Sequence, residues 1–221
     1  MTSPARGDRR KRPVLLPVLA VLFATGFGLT AVLGGLSTVP DPPPEQLGPG
    51  DTLDQGRFST RFVEAVYTLV RPPEEWEEER RYLDLVFEVT NKGNETTDVG
   101  SPPEPGKPPS PAGTLFASSI LRTDPVIETR QGGFGSVRTR DGTQSTQLHP
   151  GVTSTVVVRY PLTATARVPD KITIDMGAFE YYSETFFFSD NQWWLATTTV
   201  DGKDVPATVA RVTLPVRQEA A

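Results

Sequence analysis

The sequence predicts an all-β protein, an antiparallel β-sandwich preceded by one N-terminal transmembrane α-helix. Three observations support this fold class. Residues 14–39 contain no charged side chain and are mostly apolar, which is typical of a membrane-spanning helix. From residue 57 onward, short segments carry apolar residues at alternate positions, as strands with one buried face do. Dipeptides that reverse the chain separate these segments, and no long amphipathic helical pattern occurs between them.

Composition excludes several classes of site. The chain has 221 residues, of which 37% are hydrophobic, enough for one sizeable domain with accessory segments. Because cysteine is absent, disulfides, thiolate metal sites and a lipid-modified cysteine anchor are excluded. Five of the 22 Lys and Arg residues, but only one of the 27 Asp and Glu residues, lie in the first twelve positions. The remainder is strongly acidic, so we expect no binding to nucleic acid.

The uncharged stretch predicts a transmembrane helix at residues 13–39, which binds the chain to the lipid bilayer. Its 26 residues from Val14 to Val39 would extend about 39 Å as a helix, more than a hydrocarbon core of about 30 Å. Basic residues stay on the cytoplasmic side of a membrane, and four of them directly precede the stretch: Arg9, Arg10, Lys11 and Arg12. We therefore expect a cytoplasmic tail at residues 1–12 and an extracytoplasmic main domain in the cell envelope.

A cleaved signal peptide is the main alternative, because it shares the basic start. Its apolar region is only about 7–15 residues long and ends at a small-x-small cleavage site. The apolar run is longer here, and Gly34-Gly35-Leu36-Ser37 matches such a site poorly. An uncleaved signal anchor is therefore favoured.

Small residues in the same stretch predict a contact between helices. Ala20, Ala24 and Gly28 are spaced four apart, so they share one face of a helix. A groove of small residues lets a second helix approach closely. A homodimer formed through this face is one hypothesis.

The remaining chain divides into a linker, a domain and a tail. Residues 40–56 begin with PDPPPEQLGPG and are predicted to be a stiff proline-rich linker. The domain spans residues 57–217, and residues 218–221 form a tail. The predicted strands comprise residues 57–70, 81–91, 114–122, 144–149, 152–160, 171–176, 184–188, 192–200 and 207–216. Short strands with turns between them predict two antiparallel sheets packed face to face, an immunoglobulin-like sandwich.

The clearest strand lies in the segment LDLVFEVTNKGNE. Its apolar residues occupy every second position, at Leu83, Leu85, Phe87 and Val89, and Asn91-Lys92-Gly93-Asn94 then favours a turn. Asp201-Gly202 likewise predicts a hairpin between two C-terminal strands.

Three segments carry a resemblance to a known family: LDLVFEVTNKGNE, QLHPGVTSTVVVRYPL and PDKITIDM. Over roughly residues 57–180 the chain resembles the extracytoplasmic immunoglobulin-like domains of unknown function on membrane-anchored or lipid-anchored proteins of Gram-positive bacteria. Its usage of Arg, Pro, Ala and Gly also resembles that of actinobacterial proteins. The resemblance implies no catalytic residues. The chain departs from the family by lacking a lipid-modified cysteine and by carrying an aromatic-rich C-terminal region.

No residue pattern indicates a catalytic, cofactor or metal site. His149 is the single histidine, it has no metal-binding spacing around it, and it is interpreted as a turn residue. Gly133-Phe134-Gly135-Ser136 does not match a nucleophile elbow and is interpreted as a flexible loop. The acidic cluster at residues 74–79 lacks the spacing of a calcium loop and is interpreted as a solvated loop. We therefore predict a protein that is not an enzyme and needs no cofactor.

Aromatic residues concentrated near the C-terminus are the best indication of function. Neighbours in a strand point to opposite faces, so Trp193 must face away from Trp194, and Phe187 away from Phe186 and Phe188. Either loops such as residues 101–113 bury these rings, or the rings are exposed to a partner. The predicted partner-binding residues are Phe187, Trp193 and Trp194, and the predicted partner is an envelope protein or a glycan.

The main hypothesis from the sequence is a non-catalytic, single-pass membrane protein whose exterior domain binds another component of the cell envelope. One alternative is an accessory of an envelope enzyme, or a hydrolase that needs two carboxylates about 5–9.5 Å apart. The other is a passive structural spacer, which predicts neither a concave pocket nor an exposed aromatic patch.

Overall fold

The computed structural model of the protein describes residues 42–71, 79–139, 142–183 and 192–220. The predicted cytoplasmic tail and transmembrane helix lie outside these residues, and so do the orienting and helix-contact residues: Arg9, Arg10, Lys11, Arg12, Ala20, Ala24 and Gly28. Within the described ranges, no helix has both the length and the apolar character needed to cross a bilayer.

The described chain is built from β-strands, as the alternating pattern predicts. A short 3₁₀ helix, Phe116–Ser119, precedes the sixth strand. The strands, in chain order, are β1 (Glu45–Leu47), β2 (Thr52–Asp54), β3 (Phe58–Val70), β4 (Arg80–Asn91), β5 (Thr97–Asp98), β6 (Ile120–Asp124), β7 (Phe134–Arg138), β8 (Gln144–Ser145), β9 (Gln147–Leu148), β10 (Thr153–Pro161), β11 (Lys171–Met176), β12 (Phe179–Tyr182), β13 (Gln192–Leu195), β14 (Thr197–Val200), β15 (Lys203–Pro206) and β16 (Ala210–Ala220).

Strand pairing defines two sheets that share their last strand. The smaller sheet has the order β6-β11-β16, and β1 lies beside β16. The larger sheet has the order β16-β3-β4-β10-β7-β8, and β2 lies beside β3. Residues 210–215 of β16 pair with β11, whereas residues 216–220 pair with β3. The change of sheet follows Pro215, which has no backbone N–H to donate and so favours the end of a ladder.

The inward faces of the two sheets form one hydrophobic cluster, which makes the protein a β-sandwich. In the larger sheet Leu83, Leu85, Phe87 and Val89 are at most 1% exposed, so the predicted inward face of this strand is confirmed. Ile172, Ile174, Val212 and Leu214 are fully buried on the smaller sheet. Two edge-to-face ring contacts, of Phe87 with Phe62 and with Phe116, lie in the same cluster.

The last strand corrects the prediction of purely antiparallel sheets. Its pairings with β1 and with β3 are both parallel. The predicted tail also needs correction, because β16 continues through residues 218–220. The pairing of β16 with β1 and β3 satisfies backbone N–H and C=O groups that a free tail would leave to water. No local pattern in the sequence specifies this pairing, because its partners lie far away in the chain.

Most of the predicted linker is part of the domain. Residues from Pro43 onward form one compact unit, which includes β1 and β2. Leu53 in β2 is 5% exposed, and both strands pair with longer strands of the domain. Buried apolar area and backbone hydrogen bonds offset the cost of ordering this segment despite its prolines.

Other predicted elements differ in detail. Gly133-Phe134-Gly135-Ser136, predicted to be a flexible loop, enters strand β7 at Phe134. A Cβ atom at Gly135 would lie 2.2 Å from Val99 Cγ1, so glycine is required here by close packing. The predicted strand 114–122 begins as the 3₁₀ helix, and the predicted strand 192–200 is divided into β13 and β14. The predicted strand 184–188 lies outside the described residues.

Candidate functional site

The aromatic residues lie on a two-stranded unit, β12 paired with β13, which we call the aromatic ribbon (residues 179–182 and 192–195). Tyr181 lies opposite Trp193, and Glu180 opposite Trp194. Trp193 and Trp194 point to opposite faces of the ribbon, as alternation predicts, and each is half-buried. Tyr181 is 53% exposed. Phe187, the third predicted partner-binding residue, lies between the described segments.

A buried glutamine connects the ribbon to the larger sheet. Gln55 is fully buried between β2 and β3. Its Nε2 donates a hydrogen bond to the Gly177 carbonyl at 2.6 Å, and its Oε1 accepts one from the Thr60 hydroxyl at 2.6 Å. The Phe179 N–H donates to the backbone carbonyl of Gln55 at 2.8 Å. These bonds fix where the ribbon leaves the core.

A glycine allows the ribbon to approach this turn closely. Gly56 has φ +77°, and a Cβ atom there would lie 2.3 Å from the Phe179 carbonyl oxygen. The same atom would lie 3.5 Å from Cζ3 of Trp193. A side chain at this position would therefore displace the ribbon backbone at Phe179, whereas its contact with the tryptophan ring would be an ordinary one.

One face of the ribbon borders a polar cleft of about 380 Å³, which we call the Trp193 cleft. Tyr181 and Trp193 form its aromatic wall, with ring centroids 5.2 Å apart and ring planes inclined at 56°. This geometry is typical of aromatic pairs that attract each other. The described residues that line the cleft are Arg57, Gly93, Asn94, Glu95, Thr114, Tyr181, Gln192 and Trp193.

The turn that ends β4 forms the opposite wall of the cleft. The fully buried Asn91 organises this turn: its Nδ2 donates to the carbonyls of Glu95 at 2.8 Å and Leu148 at 3.0 Å, and its Oδ1 accepts from the N–H of Gly93 at 2.9 Å. The predicted turn at residues 91–94 is thus confirmed. Its structure places the exposed side chains of Asn94 and Glu95 at the cleft.

An ion pair joins the same turn to strand β2. Lys92 Nζ lies 2.8 Å from both carboxylate oxygens of Asp54. The hydrogen bond from Lys92 lowers the pKa of Asp54, and a second bond from the N–H of Gly56 acts in the same direction. The turn is therefore held in two ways: Asn91 bonds its backbone, and Asp54 pairs with its charged side chain, Lys92.

Arg57 brings an incompletely paired cation to the cleft. Its Nη1 donates to the carbonyl of Thr114 at 2.6 Å. Its Nε is buried and has no hydrogen-bond partner in the described part of the chain. Burial lowers the pKa of Arg57, whereas the charge of Glu95 raises it. An arginine stays charged at neutral pH, so this position favours a further acceptor.

The other face of the ribbon borders an apolar cleft of about 350 Å³, which we call the Trp194 cleft. The proline-rich loop contributes Pro111 and Ala112 to its lining. The sequence left open whether this loop buries the aromatic rings or leaves them exposed. The loop reaches Trp194 but leaves a concave surface beside it. The described lining consists of Pro111, Ala112, Tyr182, Trp194, Leu195, Thr197 and Asp204.

His149 lies apart from both clefts in a turn, as the sequence predicts. Its carbonyl accepts a hydrogen bond from the N–H of Val152 at 3.2 Å, and its Nδ1 lies 3.0 Å from the hydroxyl of Thr96. Among the described residues, no cluster of three potential metal ligands occurs.

Sequence reasoning missed Arg57, Gly56 and strand β12. Arg57 stands at the start of a predicted strand with no motif around it. The sequence FEYY gives a weak strand signal because only one of its four residues, Phe179, is buried. Gly56, the last residue of the predicted linker, was the one local signal that a close approach occurs there.

Comparison with known proteins gives no family. No family model matches the chain, and no curated protein matches it. A solved structure of an uncharacterized β-sandwich protein from Clostridium difficile 630 is similar, at 8% sequence identity. The match covers 80% of this chain and 97% of that one, with a TM-score of 0.38. The strand pairing described above, rather than this match, is the basis for the fold.

Proposed function

We propose that this chain is a single-pass, membrane-anchored, non-catalytic binding protein of the cell envelope. Its extracytoplasmic domain presents the aromatic ribbon to an envelope protein or a glycan. The anchor is supported by the long uncharged stretch at residues 13–39 and by the basic residues that precede it. An immunoglobulin-like topology is part of the proposal, supported by two sheets on a single core and by the resemblance of residues 57–180.

The exposed pairing of Tyr181 with Trp193 is the observation that carries the binding function. A ring that serves stability is normally buried in the core, yet Tyr181 is 53% exposed and contacts the ring of Trp193 at a tilt, at the edge of a cleft. Tyr and Trp supply much of the energy at binding surfaces because they offer a large contact area with few rotatable bonds. Clefts on both faces of one ribbon favour binding over a passive spacer.

The lining of the Trp193 cleft gives little support to a hydrolase. Among the described residues that line it, Glu95 is the single carboxylate. A carboxylate-dependent hydrolase needs a second one about 5–9.5 Å away. Binding therefore uses the observed side chains better than catalysis does.

Affinity capture from the native membrane tests the proposed function. The full chain should retain an envelope component that is lost with Trp193→Ala or with Trp194→Ala. Phe134→Ala is the matched control, because Phe134 is an aromatic residue, 43% exposed, that lines neither cleft. Capture that survives both tryptophan substitutions would contradict the proposal.

Self-association belongs to the same proposal. A homodimer formed through Ala20, Ala24 and Gly28 would place two aromatic ribbons on one assembly and raise the avidity for a repetitive partner. Crosslinking of the intact protein in membranes should give a dimer that Gly28→Leu removes. A monomeric pattern unchanged by this substitution would end the dimer hypothesis without affecting the binding function.

A further inference from the structure

We infer that the Trp193 cleft binds an uncharged pyranose saccharide. This inference rests on the proposed binding function and names the ligand class for one of its two clefts.

The aromatic wall matches one side of such a ligand. A pyranose ring has a face of C–H bonds, and the faces of Tyr181 and Trp193 carry the partial negative charge that attracts them. The two rings are inclined at 56°, so they form a corner rather than a flat stack. A corner of this kind contacts a sugar ring on one face and one edge.

The polar wall matches the hydroxyl groups. The carboxamide of Asn94 both donates and accepts hydrogen bonds, Arg57 only donates, and Glu95 only accepts. A hydroxyl group does both, so a polyol can satisfy all three side chains. A ligand with a single charge would be attracted by one of Arg57 and Glu95 and repelled by the other.

Arg57 adds a specific demand for an acceptor. Its Nη1 is bonded to Thr114, and its buried Nε has no partner among the described residues. The buried Nε is shielded from the cleft as it is from water, so a hydroxyl or ring oxygen bound at this end would act on the partly desolvated charge of the whole guanidinium group. The size of the cleft, about 380 Å³, lies near the lower end for ligand pockets of about 300–1,000 Å³, which favours a short segment of saccharide.

The polar wall is also organised before a ligand binds. Asn91 makes three hydrogen bonds within and beneath the turn, and Lys92 pairs with Asp54. A turn fixed in this way loses little entropy on binding, so weak individual contacts suffice for measurable affinity.

Saturation-transfer NMR with the full chain in lipid nanodiscs tests the inference. The probes are three neutral tetrasaccharides, cellotetraose, chitotetraose and maltotetraose, and one acidic tetrasaccharide from hyaluronan. We expect at least one neutral probe to bind saturably with a Kd of about 0.1–1 mM, and the acidic probe to bind no more tightly. Absence of transfer to all neutral probes, or tighter binding of the acidic one, would overturn the inference.

Point variants locate the binding. Asn94→Ala and Glu95→Ala should each weaken the neutral probe about three- to tenfold, the effect of one lost hydrogen bond. Gln147→Ala, an exposed glutamine in β9 outside the cleft, should leave the affinity unchanged. Equal affinity in all three variants would overturn the inference. Trp193→Ala should abolish transfer, and the surface variants keep the test decisive if that variant fails to fold.

The two proposals fail separately. If no saccharide binds but Trp194→Ala still abolishes capture from the membrane, the binding function stands and the saccharide inference is wrong. If capture survives both tryptophan substitutions, the proposed function itself is wrong.

Discussion

The side-chain amide of Gln55 donates a hydrogen bond to the backbone carbonyl of Gly177, a residue 122 positions later in the chain. The bond is buried and 2.6 Å long, and it ties the turn between β2 and β3 to the segment that leads into the aromatic ribbon. The position of the candidate site thus depends on a residue that lines neither cleft.

Replacing this amide should weaken the whole domain. Gln55→Leu leaves the Gly177 carbonyl without its donor and the Thr60 hydroxyl without its acceptor, both in the interior. An unpaired buried polar group costs about 1–3 kcal/mol, so we expect the free energy of unfolding to fall by about 2–4 kcal/mol. Urea unfolding followed by tryptophan fluorescence measures this, with the exposed Gln147→Leu as control. Equal midpoints for the two variants would show that the buried network is unimportant.

Gly56→Ala should displace the aromatic ribbon. The added Cβ atom would meet the Phe179 carbonyl oxygen at 2.3 Å, so the ribbon must shift or the turn must deform. Gly132→Ala is a matched control, because Gly132 has the same φ of +77° but no atom within 4 Å of its Cβ position. Backbone strain of about 1 kcal/mol is common to both. A larger loss of thermal stability in Gly56→Ala, with a changed tryptophan emission, therefore reports the clash; identical behaviour would refute it.

The outer face of the larger sheet contains an ion pair with a buried carboxylate, which we expect to matter for stability. Arg159 donates from Nε and Nη2 to the two carboxylate oxygens of Asp84, at 2.7 and 2.6 Å, and Asp84 is 4% exposed. Arg159→Ala leaves a buried charge uncompensated and should cost about 3–5 kcal/mol.

A neighbouring ion pair on the same face provides the control for Arg159. Arg61 pairs with Glu88 at 2.7 Å, but their side chains are 46% and 38% exposed. Arg61→Ala should therefore cost less than about 1 kcal/mol. Chemical unfolding of both variants measures the difference. Similar costs for the two would mean that water reaches Asp84.

Acid should remove the contribution of the Asp54–Lys92 pair. The pKa of Asp54 is lowered in the folded protein, first by the hydrogen bond from Lys92. A carboxyl group with a lowered folded pKa stabilises the protein above its unfolded value of 3.8, and this stability is lost as the pH falls through the folded pKa. Since the pair is exposed, the effect is below about 1 kcal/mol.

A double-mutant cycle isolates this contribution. The coupling between Asp54→Asn and Lys92→Met, measured by urea unfolding, should be present near pH 7 and absent near pH 2. Coupling that persists at the acidic pH would show that the carboxylate charge is not its source.

The absence of native cysteine makes the proposed topology directly testable. Gln147→Cys places a single thiol in an exposed strand of the domain, and Ser3→Cys places one in the predicted cytoplasmic tail. A membrane-impermeant maleimide should label Gln147→Cys on intact cells and Ser3→Cys only after permeabilisation. The reverse pattern would invert the orientation. Labelling of neither on intact cells would contradict an extracytoplasmic domain.

Prediction succeeded where strands have strict alternation. Strand β11 has the predicted bounds, and β4 begins one residue before its prediction. The opposite orientations of Trp193 and Trp194 also follow from alternation alone. Prediction failed for β1, β2 and β7. The partner of β1 lies far along the chain in β16, whereas β2 and β7 pair with strands that follow them closely. Proline and glycine in and around these strands indicated irregular structure. Strand pairing, and at Gly135 the close contact with Val99, override this local preference of the residues.

The faces of the longer strands and the turn at residues 91–94 follow from the order of residues alone, because side-chain alternation and turn formation are properties of a few consecutive positions. The candidate site does not follow in this way. Arg57, Glu95 and Trp193 come from three separate parts of the chain, and they meet because Gln55 and Gly56 let the ribbon dock on the turn before β3. Contacts between distant residues depend on how the two sheets pack, and this packing is decided by the tertiary structure.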